Sequence, residues 1–329
     1  MKYLVLGSNS FSGGSFISYL LREEPEATVF AVSRSLEYHS TLLAYKNVSS
    51  QKKVVFYQYD LNKDLDKIVS LIENEKIPYI VNFAAQGMVS QSWEAPLEWF
   101  ETNTLSLVAL IDKIYKFSFI KKFVQASTPE VYGVVKGAKE SMCFSPTSPY
   151  AVSKASADLA LFSYFKTHKF PVCYTRSANV YGRYQQLYRI IPKTILMIKK
   201  SQKLQLHGGG RAIRSFVHIN DVSRATLKIL HDAPSGEIYH ISDTKTISIR
   251  DLVDLICKEM NVAFDDVVEI VNSRVSEDSV YLMDASKLEE EMSLSPQVDF
   301  KDAIRDVIEW IEKDFETLAT FPDVYRHKK

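Results

Sequence analysis

Residues 1–14, MKYLVLGSNSFSGG, decide the fold. An apolar run, Tyr3–Leu6, breaks at Gly7-Ser8-Asn9-Ser10-Phe11-Ser12-Gly13, and an amphipathic stretch, Gly13–Arg22, follows. The turn has small residues where a backbone must approach a pyrophosphate and where the next helix must pack on a sheet. Its spacing is G-x-x-S-x-x-G, with Ser10 in place of a middle glycine. In isolation such a turn is equally a plain tight turn. At the head of a strand–helix–strand pattern it points to a dinucleotide, with Gly7, Ser10, Phe11 and Gly13 as its cradle.

That pattern continues outward from the turn. Short apolar runs recur at Thr28–Val32, Val54–Tyr57, Tyr79–Phe83, Lys122–Gln125 and Val172–Thr175, separated by helical stretches at Asp64–Glu75, Pro96–Phe117 and Pro149–Thr167. Continuous apolar strands alternating with helices mean a parallel sheet covered on both faces, and right-handed crossovers make it a doubly wound, Rossmann-like α/β fold. After residue 180 the pattern loosens into loops such as Gly208-Gly209-Gly210, with a last amphipathic helix near Lys301–Thr317. The expected division is a dinucleotide-binding domain over 1–178 and a smaller substrate-binding lobe over 179–329, some of whose segments return to the first domain.

Composition narrows the partners. The 329 residues carry 40 Lys+Arg and 40 Asp+Glu, a net charge of zero, so there is no basic footprint for nucleic acid or a membrane surface. The first apolar run is too short for a signal peptide or a membrane span, so a cytoplasmic protein is expected. Cys143, Cys173 and Cys257 form no CxxC pair and read as buried free thiols. His207, His218, His231 and His240 fit no ligand spacing; they read as structural, and no metal is expected.

At the end of the second strand an acidic residue would accept from the ribose hydroxyl of NAD, and an arginine would pair with the 2′-phosphate of NADP. The chain has Ser33-Arg34-Ser35, with no carboxylate before Glu37. This favours NADP, with NAD as the alternative; the competing reading makes Arg34 an ordinary solvated loop residue. Further on, Tyr150 and Lys154 lie four apart at the start of a helix and so share a face. An ammonium beside a phenol favours the phenolate, which makes Tyr150 a candidate base for an alcohol. The pair is accompanied by Ser127-Thr128-Pro129-Glu130-Val131-Tyr132-Gly133 and by Ser145-Pro146-Thr147-Ser148-Pro149.

With these segments in place the chain resembles the extended short-chain dehydrogenase/reductase superfamily, and within it the nucleotide-sugar 4,6-dehydratases, to about residue 250. Asp60-Leu61 is similar to the pair that meets the adenine, Asn82-Phe83-Ala84-Ala85-Gln86 to the segment lining the cofactor, and Asn103 to a helix asparagine of the cofactor site. Arg176-Ser177-Ala178-Asn179-Val180-Tyr181-Gly182 resembles the segment with a substrate-binding asparagine, here Asn179. Arg214, within Arg214–Asp221, resembles the diphosphate-binding arginine, with Arg189 placed for the same anion and Gln86 on the substrate side.

The resemblance implies a nucleotide-diphospho-sugar substrate, a tightly bound and recycled dinucleotide, and a homodimer joined through the helices near Trp99 and Tyr150. It also implies that Tyr150 takes the O4 proton while C4 gives up hydride, that Lys154 holds the ribose, and that Thr128 bonds the O4 region. Glu130 then takes the C5 proton, the C6 hydroxyl leaves, and hydride returns to C6. Two departures stand out. Pro129 occupies the position of an aspartic acid that protonates the leaving group in many such enzymes, and it has no proton to give; the GDP-mannose dehydratases resemble the chain better there. Met88 replaces a frequent histidine. The alternatives are a C4 epimerase, which has no task for a C5 base, a UDP-glucuronate decarboxylase, and a dinucleotide sensor, against which the intact Thr128, Tyr150 and Lys154 argue.

Overall fold

The computed structural model describes residues 1–272, 282–325 and 327. Its centre is a seven-stranded, wholly parallel sheet. The strands β1 (Lys2–Leu6), β2 (Thr28–Ser33), β3 (Val54–Gln58), β4 (Tyr79–Asn82) and β5 (Lys122–Ala126) are joined by two later ones, Val172–Ser177 and Ile238–Ile241. From one edge the order is Ile238–Ile241, Val172–Ser177, β5, β4, β1, β2, β3. Side chains alternate along a strand, so Tyr3 and Val5 enter the core on one face while Leu4 and Leu6 enter the core on the other. The first core is closed by α1 (Phe11–Glu23), through Phe16, Ile17 and Leu20, and by the helix Ile219–Asp232, through Ile229 and Leu230. The second is closed by α2 (Leu65–Glu75), α4 (Ser106–Ile114) and α5 (Pro149–His168).

Local chemistry sets the helix starts that matter for the site. Ser10 caps α1, its hydroxyl accepting from the Gly13 N–H at 3.0 Å. Ser148 caps α5, accepting from the Ala151 N–H at 3.2 Å, and Pro149 in the first turn lacks the N–H that would otherwise need a partner. The expected single helix Pro96–Phe117 is interrupted. It consists of α3 (Pro96–Phe100), a π-helical turn over Glu101–Leu105, and α4, which ends at Ile114. The wide turn lets the side chains of Asn103 and Thr104 reach Ser153 on α5.

A third hydrophobic cluster lies in the C-terminal part, where Ile191, Ile195, Leu252, Ile256, Ile304 and Val307 meet. The chain returns to the large sheet between residues 219 and 241, supplying the helix on α1 and the last edge strand. Cys173 and Cys257 are buried, but Cys143 is exposed, because it falls in the irregular stretch ahead of α5 and not in a core element. Among the described residues no helix is long and apolar enough to cross a membrane, and no group of His, Cys, Asp and Glu is assembled to hold a metal ion.

Candidate active site

The sheet order reverses between β1 and β4, and ligands of such sheets lie beyond the carboxyl ends of the strands at that point. A cavity of about 1170 Å³ opens there, larger than one small-molecule site requires. Gly7, Ser10, Phe11, Ser33, Arg34, Asp60, Leu61, Phe83, Ala84 and Ala85 all line it. Gly7 has φ +80°, and a Cβ there would stand 2.6 Å from the Ala84 nitrogen; at Gly13 a Cβ would collide with the Gly7 carbonyl oxygen. The turn is therefore built for backbone contact and for the start of α1, the geometry that receives a pyrophosphate.

Asn9 holds the two nucleotide-facing loops together. Its side chain donates to the Ser35 carbonyl at 3.2 Å and the Leu36 carbonyl at 2.8 Å, while its backbone N–H donates to Ser33 Oγ at 3.0 Å. Asparagine in such a turn favours local brackets, but the partner loop lies more than twenty residues away, so the sequence carried no sign of this one.

The opposite wall carries the four side chains expected to react. Thr128, Glu130, Tyr150 and Lys154 all line the cavity. Lys154 is buried, and its ammonium donates to the Ala126 carbonyl at 2.7 Å. Burial pushes its pKa down to about 8, against the opposing pull of Asp158 and Glu130. The phenol of Tyr150 is not lowered as expected from its neighbour lysine. Burial raises it well above the ordinary tyrosine value and the Glu130 carboxylate raises it further, while a hydrogen bond with Thr128 and the charge of Arg189 pull the other way. Lys154 is not among the groups that shift the phenol, and its ammonium donates to the Ala126 carbonyl of β5.

Two expected cofactor residues stand behind the wall instead of on it. Gly13 shapes the turn. Asn103 is buried and brackets the backbone of Gln86, accepting from its N–H at 2.7 Å and donating to its carbonyl at 3.0 Å, while also donating to Ser153 Oγ at 3.0 Å. Met88 lines the cavity with a left-handed φ of +71°.

Gln86, Asn179, Arg189 and Arg214 line the remaining half. Asn179 donates to the Ser215 carbonyl at 3.1 Å and Arg214 to the Ile213 carbonyl at 2.9 Å; Arg189 precedes the helix Ile190–Lys199 with its guanidinium 5.6 Å from the centre of the Tyr188 ring. The segment after the last helix was not anticipated. Phe321, Pro322, Val324 and Tyr325 line the cavity, and Tyr325 packs edge-on against Tyr188 at 5.4 Å. His327 stacks on Trp99 at 4.8 Å and meets the Glu98 carboxylate at 2.5 Å. The segment thus runs from the C-terminal helices to α3. Its apolar residues are too few to show a periodicity.

The profile of a family described as GDP-mannose 4,6 dehydratase matches residues 4–307. The human dTDP-D-glucose 4,6-dehydratase is 33% identical over 322 residues, covering 95% of this chain and 91% of its own. A crystal structure of dTDP-glucose 4,6-dehydratase from Streptomyces venezuelae, with NAD bound, superposes with a TM-score of 0.88 at 28% identity, covering 96% of this chain and 98% of its own. A UDP-glucose 4-epimerase from Thermotoga maritima, solved with UDP-glucose, shares the fold at a TM-score of 0.86 and 22% identity, covering 96% of this chain and 100% of its own.

Proposed function

The chain belongs to the GDP-mannose 4,6 dehydratase family and is a nicotinamide-dinucleotide-dependent nucleotide-sugar 4,6-dehydratase, and from that premise we propose that Thr128, Glu130, Tyr150 and Lys154 carry its chemistry. When bound, the nicotinamide supplies the acceptor for the C4 hydride and later its donor to C6. Tyr150, as the phenolate left when its own proton has passed to solvent, accepts the proton of the sugar O4–H, and Thr128, hydrogen-bonded to its oxygen, aligns it. Lys154, fixed by the Ala126 carbonyl, presents a positive charge at the ribose side of the same wall. The new 4-keto group acidifies C5–H, and Glu130 takes that proton. Glu130, now a neutral acid, returns a proton to the departing C6 hydroxyl, a task Pro129 cannot perform.

The observation that carries this reading is Glu130: it faces the cavity beside Tyr150 and Lys154 closely enough for its charge to act on both. Oxidation and re-reduction at C4 alone would leave that carboxylate without a role. The test uses Glu130→Gln with dTDP-glucose, the compound named in the relatives, and then GDP-, UDP- and CDP-hexoses, in deuterated water. The variant is expected to form reduced dinucleotide and a 4-keto sugar that keeps its C6 hydroxyl and shows little exchange at C5. The unaltered enzyme releases a product lighter by one water. Inversion at C4 without loss of water would replace the dehydratase reading with the epimerase.

NADP is proposed over NAD because Arg34 lines the cavity at the end of β2, where the sequence has Ser33-Arg34-Ser35 and no acidic residue before Glu37. The mass of the dinucleotide released on denaturation decides this, and release of NAD with no effect of Arg34→Ala would refute it. Arg189 and Arg214 are proposed to hold the substrate diphosphate, Asn179 and Gln86 its sugar. A second copy of the chain is proposed to cover the apolar face on which Leu97 is 75% exposed, Leu105 62% and Leu159 48%.

A further inference from the structure

Beneath the reactive wall, Asp158 on α5 and Arg176 on the strand Val172–Ser177 form a salt bridge of 3.0 Å with neither side chain exposed. A buried pair of this kind is seldom retained for stability, since apolar residues of similar volume often do as well or better, and its best-attested use is to fix one arrangement. What it fixes here can be followed bond by bond. The Asp158 carboxylate oxygen that receives Arg176 also accepts from Ser127 Oγ at 2.5 Å. The other arm of the guanidinium donates to the Tyr132 hydroxyl and to the Ser141 carbonyl, the latter at 2.8 Å. The guanidinium is held between the rings of Tyr132 and Phe144, at 4.8 and 4.9 Å from their centres.

The Tyr132 hydroxyl in turn donates to His240 Nε2 at 2.7 Å, because Nδ1 of that ring must carry the proton it gives to the Asp284 carbonyl at 2.7 Å. Burial holds His240 neutral, with its pKa down to about 4, which agrees with this tautomer.

We infer that Asp158 and Arg176 are positioning residues that clamp the Ser127–Tyr132 segment at both ends and lock it to the helix bearing Tyr150 and Lys154. Thr128 and Glu130 lie between the two clamped ends, and Lys154 and Tyr150 lie one and two turns before Asp158 on the same helix face. One ion pair thus sets the distance between the O4 base and the C5 base. It also sets charge. The groups facing Lys154 are Tyr150 and Asp158 on its own helix, Glu130 from the segment after β5 and the Ala126 carbonyl of β5, with Arg176 beyond Asp158. Asp158 and Glu130 both favour the ammonium against burial.

The inference rests on the roles proposed for those four residues. Ser127→Ala and Tyr132→Phe each remove one tie without touching a charge. Both are expected to keep the bound dinucleotide and KM and to lose only a few degrees of melting temperature for the buried bonds removed, while kcat falls between roughly tenfold and a hundredfold, the loss associated with misplacement by less than about 1 Å. The fall should lie in elimination more than in the first hydride transfer, so reduced dinucleotide accumulates during turnover. Asp158→Asn should move the alkaline limb of the rate of hydride transfer to lower pH. Should that variant fail to fold, Asp158→Asn combined with Arg176→Gln removes both charges and is expected to show a smaller displacement in the same direction.

Unchanged kcat in both tie variants, a loss of rate that disappears when the assay is run well below the lowered melting temperature, or an unmoved alkaline limb would overturn the inference. Failure of the dehydratase reading is recognised separately, by C4 inversion without loss of water in the unaltered enzyme. The first hydride transfer, which an epimerase also performs, would then still test the clamp through the Asp158 variants.

Discussion

Lys154→Met should make the protein more stable while abolishing its activity. The ammonium is 3% exposed and its pKa is about 8 against an ordinary value of 10.5. Each tenfold change in proton affinity is worth about 1.36 kcal/mol, so keeping the proton at pH 7 destabilises the folded state by roughly 3 kcal/mol. Methionine fills a similar volume without that penalty but leaves the Ala126 carbonyl without its donor, a loss of about 1 kcal/mol. The net gain is about 2 kcal/mol, a rise in melting temperature of about 3 °C for a chain of this size.

The sign with pH follows from the same values. The unfolded chain binds the proton more tightly than the folded one, so the folded protein recovers stability as pH rises from about 8 towards 10.5. By pH 10 the penalty has fallen to under about 1 kcal/mol and the advantage of the variant should vanish. Thermal unfolding of both proteins, stripped of dinucleotide, at neutral and alkaline pH measures this. A variant no more stable at pH 7, or a difference that does not depend on pH, would refute the reasoning.

Gly7→Ala should lose at least about 1–2 kcal/mol from the left-handed backbone alone, and more from the approach to Ala84; chemical denaturation and the loss of co-purifying dinucleotide check it. His327→Ala removes a ring stack and an ion pair together worth about 1 kcal/mol, so dinucleotide and nucleotide should dissociate about fivefold faster, as measured by stopped-flow fluorescence. An unchanged rate would mean that the C-terminal segment is not part of the binding site. Leu105→Arg should convert a dimer to a monomer in size-exclusion chromatography at unchanged circular dichroism; a variant that elutes as the parent does would refute the proposed face.

Six of the seven strands of the sheet were legible as short apolar runs, β1 most plainly, although the edge strand β3 is only partly buried; Ile238–Ile241 was not. The break in the helix after Phe100 was not, since the π turn is held by bonds from Asn103 and Thr104 to Ser153, about fifty residues on. Asn103 itself could be picked out, but only its partners show that it grips Gln86. Tyr150 and Lys154 could be picked out by their spacing and Thr128 and Glu130 through the family resemblance, and all four line one cavity. The environment of Tyr150 was not legible, because whether burial or a neighbouring ammonium wins depends on where Lys154 points, and it points at β5. Arg176 and Asp158, eighteen residues apart, carry no spacing that marks them as a pair.

Burial and Glu130 both oppose ionisation of Tyr150, and this bears on how the proposed cycle closes without an acid at position 129. Two protons leave the sugar, one from O4–H and one from C5–H, and two are needed, one for the departing hydroxyl and one to restore C5. Once its resting proton has passed to solvent, the phenolate of Tyr150, with its raised affinity, is a strong acceptor for the first. The Glu130 carboxylate is the acceptor for the second, and once protonated it no longer repels a phenolate. Its own uptake of a proton therefore lowers the barrier for Tyr150 to give one up again. The two residues between them can hold and return both protons, so replacing the usual aspartic acid by Pro129 removes a third acid from the cycle without leaving the proton balance open. The arrangement also ties the two residues together kinetically: Glu130→Gln should leave the proton on Tyr150 as well as on C5, and the variant should stop at a single oxidation with one proton taken up by the enzyme. A second proton taken up in that single turnover would show that another group serves as the C5 base.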